Sequence, residues 1–349
     1  MKILFLNSTI PNYVTDGLFH GLRSIPGITV VDVPRLDYMY CDASMPALAK
    51  TGSKGNTLYK LLQDVPEIKG NRTFWYENIN EYDLIIVSDI FHQCDLFHSI
   101  YNKLHRSKKS KLCIVDGYDD VAMFPFFNIS YNLRIRPWSY LYKTRRVQYF
   151  KREYQNAASL FGFSKERFPF YNKIFSRFFK RPGTVYPISM SIPQIHIKYI
   201  PFKNKVNDFV AYNVDKDLND LFDDRRIAEL GKWQPAFNDQ FEYFSNIEKS
   251  KFGITSKRAG WDCLRHYEYA AKGTILCFKN LANKDLLCAP FELDETNCIP
   301  YFNKEDLLRK IRSKSIMELE SIQEQQYKWI EKYTTKKVAL RFLDNLLSN

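Results

Sequence analysis

The densest group of chemically capable residues is the run Lys257, Arg258, Ala259, Gly260, Trp261, Asp262, Cys263, Leu264, Arg265, His266, Tyr267, Glu268. It follows a short apolar run and leads into a helical stretch closed by Gly273. That places it on a strand-to-helix loop and the first turns of the helix. A helix N-terminus presents free N–H groups and partial positive charge, a ready seat for phosphate. Lys257 and Arg258 would stand beside that terminus. Arg265 and Glu268 are three apart and so share a helix face. A cation for a diphosphate and a carboxylate for ribose hydroxyls is what a nucleotide-diphosphate ligand requires. The plainer alternative is a helix capped by Asp262, with Arg265 and Glu268 an exposed ion pair. Spacing alone leaves both open.

A second set could move a proton. Asp16 and His20 lie in TDGLFHGL, just after the first apolar run. Asp89 and His92 lie in SDIFH, and Asp116, Asp119 and Asp120 lie in DGYDD. Each group follows a predicted strand. A carboxylate or histidine there can act as a general base for a hydroxyl. Each also has a plainer use. Asp16 can cap a helix, His92 can be a satisfied histidine, and Asp116-Gly117 can be turn chemistry.

These residues need a scaffold that brings strand ends together. Lys2–Asn7, Ile28–Val33, Asp83–Ser88 and Lys111–Asp116 read as strands. Val14–Ser24 and Cys94–His105 read as helices between them. Apolar runs alternating with helices predict βαβ units and a parallel sheet, whose ligands sit beyond the strands' carboxyl ends. The glycine-containing Thr51–Asn56 lacks the spacing of a phosphate loop and reads as a surface loop or lid. Tyr186–Asn207, with three prolines, reads as an extended connection. A second unit follows: Asp208–Asn213 and Phe252–Thr255 as strands, Arg225–Gly231 and Asp239–Ser250 as helices, then Asp262–Lys272 as a helix and Thr274–Phe278 as a strand. Lys304–Leu347 reads as mostly helical.

The 349 residues predict about two domains, and an apolar fraction of 45% beside 26% charged residues excludes a disordered chain. The seven cysteines form no C-x-x-C pair, so neither a disulfide framework nor a zinc ribbon is expected, and a reducing cytoplasm fits. No apolar run reaches membrane-spanning length. Net charge is +12. Tyr101–Pro182 carries 18 Lys/Arg against 5 Asp/Glu, which concentrates the whole basic surplus in one segment. Within it, Phe168–Arg181 can place aromatics on one helical side and Lys173, Arg177, Lys180 and Arg181 on the other. Such a segment faces something anionic: a phospholipid surface, a nucleic acid or a phosphorylated substrate.

GWDCLRHYEYAAKGTILCF (Gly260–Phe278) resembles the donor-binding segment of GT-B glycosyltransferases. It is most similar to the bacterial and phage group carrying GWDCLRHYE, and more distantly to the exostosin type. The opening MKILFLNSTIPNYVTDGLFHGLRSIPGITVVDVP is similar to the same group. The resemblance implies an α/β GT-B fold, two Rossmann-like domains facing a cleft. It implies an acceptor-side domain over 1–190, a nucleotide-sugar domain over 208–330, and a C-terminal helix over 331–349 returning to the first domain. It implies that Glu268 contacts the ribose and that Arg265, with Arg258 or Lys257, neutralises the diphosphate. Gly260, Asp262 and His266 complete the donor segment. Many retaining GT-B enzymes carry E-x(7)-E, whose first Glu falls at Gly260 here, so the stereochemical outcome stays open.

The expected activity is therefore transfer of a sugar from a nucleotide-diphosphate donor to a glycan or lipid-linked acceptor, in surface polysaccharide assembly. No metal and no cofactor beyond the nucleotide sugar are expected. The metal-binding reading of DGYDD, as in GT-A enzymes, fits the double alternating layout less well. A cytoplasmic protein, peripheral on the inner membrane face, is the expected location. Two alternatives remain: a phage glycosyltransferase acting on modified DNA bases, and a non-catalytic nucleic-acid-binding module built on the aromatic and basic Asn128–Arg152.

Overall fold

The computed structural model describes residues 1–8, 10–49, 51, 57–124, 143, 146–155, 185–222, 237 and 239–347. The Phe168–Arg181 segment, the Arg225–Gly231 helix, most of Asn128–Arg152 and all but the first residue of Thr51–Asn56 lie outside the described residues.

The first unit runs β1 (Lys2–Leu6), α1 (Tyr13–Arg23), β2 (Thr29–Val33), α2 (Met45–Ala49), α3 (Pro66–Thr73), β3 (Leu84–Val87), α4 (Cys94–Lys103), β4 (Leu112–Asp116), β5 (Gln148–Lys151) and β6 (Val185–Pro187). Its six strands are parallel, in the order β2-β1-β3-β4-β5-β6. Both faces are covered, so the strands are apolar almost throughout. Alternate side chains feed two cores. Ile3, Phe5, Ile86, Cys113 and Val115 join the side where α1 lies. Leu4, Leu6, Ile85, Val87 and Ile114 join the side covered by α4.

The second unit comprises β7 (Asn207–Phe209), α5 (Gln240–Lys249), β8 (Ser250–Ser256), α6 (Leu264–Ala271), β9 (Ile275–Lys279), β10 (Ile299–Tyr301), α7 (Lys304–Arg312), α8 (Ile316–Lys332) and α9 (Thr335–Leu347). Its strands are parallel in the order β10-β9-β8-β7. Phe252, Ile254, Ile275 and Cys277 pack with Leu307 and Leu319 on one face. On the other face Leu276 and Phe278 meet Tyr267, Ala271 and Trp329, in the same apolar cluster that holds Phe5 and Leu18 of the first unit. The two units thus share a continuous core.

The C-terminal helices split. α8 lies against α6, whereas α9 crosses back and lies along α1. Gly21 permits that crossing, because a Cβ there would stand 2.0 Å from the Thr335 carbonyl oxygen. Gly273 ends α6 in the left-handed region at φ +66, which an unbranched backbone adopts without strain. Three strands escaped sequence reading: β5, β6 and β10. β6 occupies the start of the stretch read as an extended connection.

Candidate active site: the cleft between the two sheets

α6 opens at the carboxyl end of β8, as a strand–loop–helix unit demands. Its N-cap is Cys263, not the expected Asp262, and the Cys263 side chain accepts no capping hydrogen bond. The His266 N–H donates to the Cys263 carbonyl at 3.0 Å, so the N–H groups of Leu264 and Arg265 are those that keep their capacity for an anion. Lys257 and Arg258 are exposed on the preceding loop, with the Lys257 ammonium 5.4 Å from the Trp261 ring centroid.

Arg265 sits on the first turn of α6, its guanidinium 4.8 Å from the Tyr212 ring centroid. Its Nη1 is buried and has no hydrogen-bond partner. Among the described residues no carboxylate forms an ion pair with it, so the exposed Arg265–Glu268 pair does not occur. Glu268, one turn on, is buried and accepts hydrogen bonds from the Thr57 hydroxyl and, at 2.6 Å, from the Tyr243 hydroxyl. Burial pushes its carboxyl up, while the two hydroxyl donors and the nearby Arg265 oppose that shift. Thr57 belongs to the first unit, so this contact spans the cleft. The His196 ring, on the connection between units, holds Thr57 through its carbonyl at 2.8 Å.

Three other residues of the donor segment are placed differently. Gly260 lets the loop lie on Glu153, at the end of β5: a Cβ would stand 2.4 Å from Glu153 Oε1. The Glu153 carboxylate accepts the backbone N–H of Trp261 at 3.0 Å and of Asp262 at 3.1 Å. Asp262 accepts the Met190 N–H at 2.7 Å and the Tyr267 hydroxyl at 2.8 Å, and burial pushes it up to about 6. Both residues bind the loop to the first unit and its connection. His266 is fully buried, with Nε2 2.6 Å from Thr255 Oγ1 and its ring 4.8 Å from that of Phe278. Burial, and then the nearby Arg265 and Arg152, push it down to about 3, so it is a neutral buried histidine.

The proton-moving candidates separate as clearly. Asp16 is not a cap, because Asn12 caps α1 through Oδ1. Its carboxylate is enclosed by the Tyr38 hydroxyl at 3.1 Å, the Tyr59 hydroxyl at 3.3 Å and the Asn12 N–H at 3.2 Å. Burial pushes it up to about 7. Tyr13 stands close to both Asp16 and Glu268; burial and then Glu268 push its phenol up to about 12. His20 points at α9, with Nδ1 2.9 Å from Thr335 Oγ1, and burial pushes it down to about 4. Asp116 is buried against Lys151 at 2.9 Å and the Tyr149 hydroxyl at 2.5 Å. Asp119 pairs with Arg152, and Asp120 closes a turn by accepting the Ala122 N–H at 2.7 Å.

Asp89 and His92 differ from all of these. His92 is exposed beyond β3, and its Nδ1 is 2.8 Å from Oδ2 of the buried Asp89. The Tyr118 hydroxyl, 3.1 Å from Asp89 Oδ1, completes the brace. A histidine held through Nδ1 presents Nε2 outward as a proton acceptor. Thr57, Tyr13, Tyr118, Tyr212, Tyr243 and Glu153 were not foreseen as site residues. Among the described residues no group of three or more His, Cys, Asp or Glu side chains could hold a metal ion.

No family model matches the chain, and no curated protein matches it. Solved structures do. HepE from Anabaena, in complex with UDP and glucose, is matched over 100% of this chain and 100% of its own, at 10% identity and TM-score 0.51. Sucrose-phosphate synthase from Thermosynechococcus elongatus is matched over 99% of this chain and 98% of its own, at 9% identity and TM-score 0.51. Against a GtfA/B complex the chain covers 60% of the other's length, at 10% identity and TM-score 0.46. The full-length likenesses and the two parallel sheets around a cleft establish the GT-B fold.

Proposed function

We propose that the protein is a glycosyltransferase that uses a nucleotide-diphosphate sugar. The observation that carries this reading is Arg265: a buried guanidinium nitrogen without a partner, one turn from a buried carboxylate, at an uncapped helix N-terminus facing the cleft of a GT-B fold. A buried positive charge without its counterion is costly, and a diphosphate relieves that cost. In this reading the diphosphate lies on the α6 terminus against Arg265, with Lys257 and Arg258 at its outer side. Glu268 takes the ribose hydroxyls when the Thr57 hydroxyl gives way.

Asp89 orients His92, whose Nε2 removes the proton of the acceptor hydroxyl. The acceptor oxygen then bonds to the anomeric carbon as that carbon's bond to the diphosphate oxygen breaks. The electron pair leaves with the nucleoside diphosphate, whose growing charge Arg265 and the helix terminus stabilise. Charge neutralisation by these fixed cations gives a metal-independent reaction, so turnover persists in chelator. The acceptor is a glycan or a lipid-linked glycan, as surface polysaccharide assembly requires, and the protein works at the inner face of a membrane. No helix of the described residues is long and apolar enough to cross one.

A panel of UDP-, GDP- and TDP-sugars, with a CMP-sugar as the monophosphate control, scored for hydrolysis and thermal shift, tests the reading. One donor class should be hydrolysed slowly and should raise Tm. No response to any of them would contradict it.

A further inference from the structure

Two fully buried charges are tied to the proposed base. Asp116 ends β4 and Lys151 ends β5, and the two are register partners in the sheet. Neither side chain is exposed, and Lys151 Nζ lies 2.9 Å from Asp116 Oδ1. A buried ion pair seldom stabilises a fold more than a well-packed apolar pair, because both ions lose their hydration. Stability alone therefore does not account for this one.

Its hydrogen bonds show what it holds. Asp116 Oδ1 accepts the backbone N–H of Tyr118 at 3.1 Å, and Lys151 Nζ donates to the Tyr118 carbonyl at 3.4 Å. One ion pair thus grips Tyr118 at both of its backbone polar groups. Asp116 Oδ2 accepts the Tyr149 hydroxyl at 2.5 Å, which fixes the carboxylate's orientation. The Tyr118 ring packs edge-on against Phe91, with centroids 4.7 Å apart.

With backbone and ring held, the Tyr118 hydroxyl reaches the dyad. It donates to Asp89 Oδ1 at 3.1 Å, and its oxygen lies 3.1 Å from His92 Nδ1. Asp89 Oδ2 lies 2.8 Å from the same nitrogen. The other contact on Asp89 Oδ1, from the His92 backbone N–H, is longer at 3.3 Å. A neutral imidazole carries one ring proton, and an ionised carboxylate only accepts. Two oxygens around Nδ1 therefore draw the proton there and leave Nε2 bare.

We propose that Asp116 and Lys151 are positioning residues for His92, acting through Tyr118. The ion pair sets the Tyr118 backbone, the Tyr118 hydroxyl aligns Asp89, and the imidazole is kept in the tautomer whose Nε2 accepts a proton. The consequence for catalysis rests on the reading of His92 as the base; the tautomer does not.

The experiment uses the full chain, labelled with nitrogen-15. Ring-nitrogen correlation spectra are taken under mildly alkaline conditions, where the imidazole is neutral, and the His92 signals are identified by their loss in His92→Gln. Two variants are compared with the parent. Tyr118→Phe removes the hydroxyl alone. Asp116→Leu combined with Lys151→Met replaces the ion pair by apolar side chains of similar volume, an exchange that folds often tolerate. The parent should show one tautomer, protonated at Nδ1. In both variants the second tautomer should appear, and the Nδ1 proton should exchange with solvent roughly fivefold faster or more, the equivalent of one net hydrogen bond. With the donor found by the sugar panel, kcat should fall about tenfold in both, a part of the 10²–10⁴ of base catalysis, with the donor KM unchanged. Altered ring signals with the parent's kcat would keep the positioning and remove His92 as the base. A parent protonated at Nε2, or parent-like ring signals in Tyr118→Phe or in the folded double variant, would overturn the proposal whatever kcat does.

Discussion

The hydroxyl of Thr57 donates to Oε1 of Glu268, joining a residue of the first sheet's domain to the first turns of α6 in the second. The carboxylate proposed for the ribose is thus engaged from across the cleft before any ligand arrives. A donor has to exchange a ribose hydroxyl for the threonine hydroxyl, so the two compete for one acceptor atom.

Removing the competitor should help the ligand. Thr57→Val is expected to lower the donor KM severalfold, since a net hydrogen bond is worth about 1 kcal/mol, or roughly fivefold. Glu268→Gln should raise that KM tenfold or more. Steady-state kinetics with the donor identified by the sugar panel provide the check. A raised KM in Thr57→Val would show that Thr57 assists the donor and does not compete with it.

His92 is the proposed base, and Asp89 its positioning partner. His92→Ala should lower kcat by about 10²–10⁴ with the donor dissociation constant unchanged. Asp89→Asn should lower kcat less and shift the pH–rate profile, because it alters the tautomer and basicity of the imidazole. A kcat within threefold of the parent for His92→Ala would remove base catalysis from this dyad and favour direct, donor-assisted proton transfer.

Asp16 supplies a pH signature of stability. Its carboxyl is pushed up to about 7 by burial, from an ordinary value of 3.8. Between those values the folded chain holds a proton that the unfolded chain has released. Its contribution is therefore fully present below pH 4 and lost as pH rises through 7. His20 and His266, pushed down to about 4 and about 3, act oppositely and favour the fold above pH 6.5. The two effects are separated by comparing the parent with Asp16→Asn in urea unfolding at pH 5, 6, 7 and 8. The stability difference should drift toward the variant as pH rises, at about 1.4 kcal/mol per unit of pKa displacement. A difference independent of pH would contradict the buried, proton-holding Asp16.

Gly21 is the contact point of α1 and α9. A methyl group there would meet the Thr335 carbonyl at 2.0 Å and the Ala339 Cβ at 2.9 Å. Alanine normally strengthens a helix by about 1 kcal/mol over glycine. Here Gly21→Ala should instead destabilise by about 1–3 kcal/mol, because the helices must separate. A rise in Tm would mean that α9 does not lie on α1 as described.

Most of the frame was legible because it rests on local pattern. KILFL, DLIIVS and KLCIVD are apolar runs of strand length, and Gly273 marks the end of α6. β5 (QYFK) and β10 (IPY) are short, polar at both ends or interrupted by proline, and gain their strand character from neighbours in the sheet. Arg265 and Glu268 were found by their spacing on one helix face. The same geometry would have set His266 aside, since it follows Arg265 by about 100° around the helix and so turns into the core. Asp262 looked like a cap because its type suits one, but its carboxylate is committed to the Met190 N–H, far along the chain, and to the hydroxyl of Tyr267, within α6 itself. Thr57, Tyr13 and Glu153 reach the site only through folding across two domains, and no local pattern in a single sequence records that.

A nucleoside diphosphate lying against Arg265 is the central feature of the proposed site. Isothermal titration of the parent with UDP, GDP and TDP, with CMP as the monophosphate control, repeated on Arg265→Ala and Arg265→Lys, measures this directly. One nucleotide should bind the parent. Its affinity should fall at least tenfold in Arg265→Ala, the loss of a charge-assisted hydrogen bond of about 1.5–3 kcal/mol, and partly recover in Arg265→Lys, with circular dichroism unchanged. Equal affinity in the parent and both variants, or no nucleotide bound at all, would contradict the donor site.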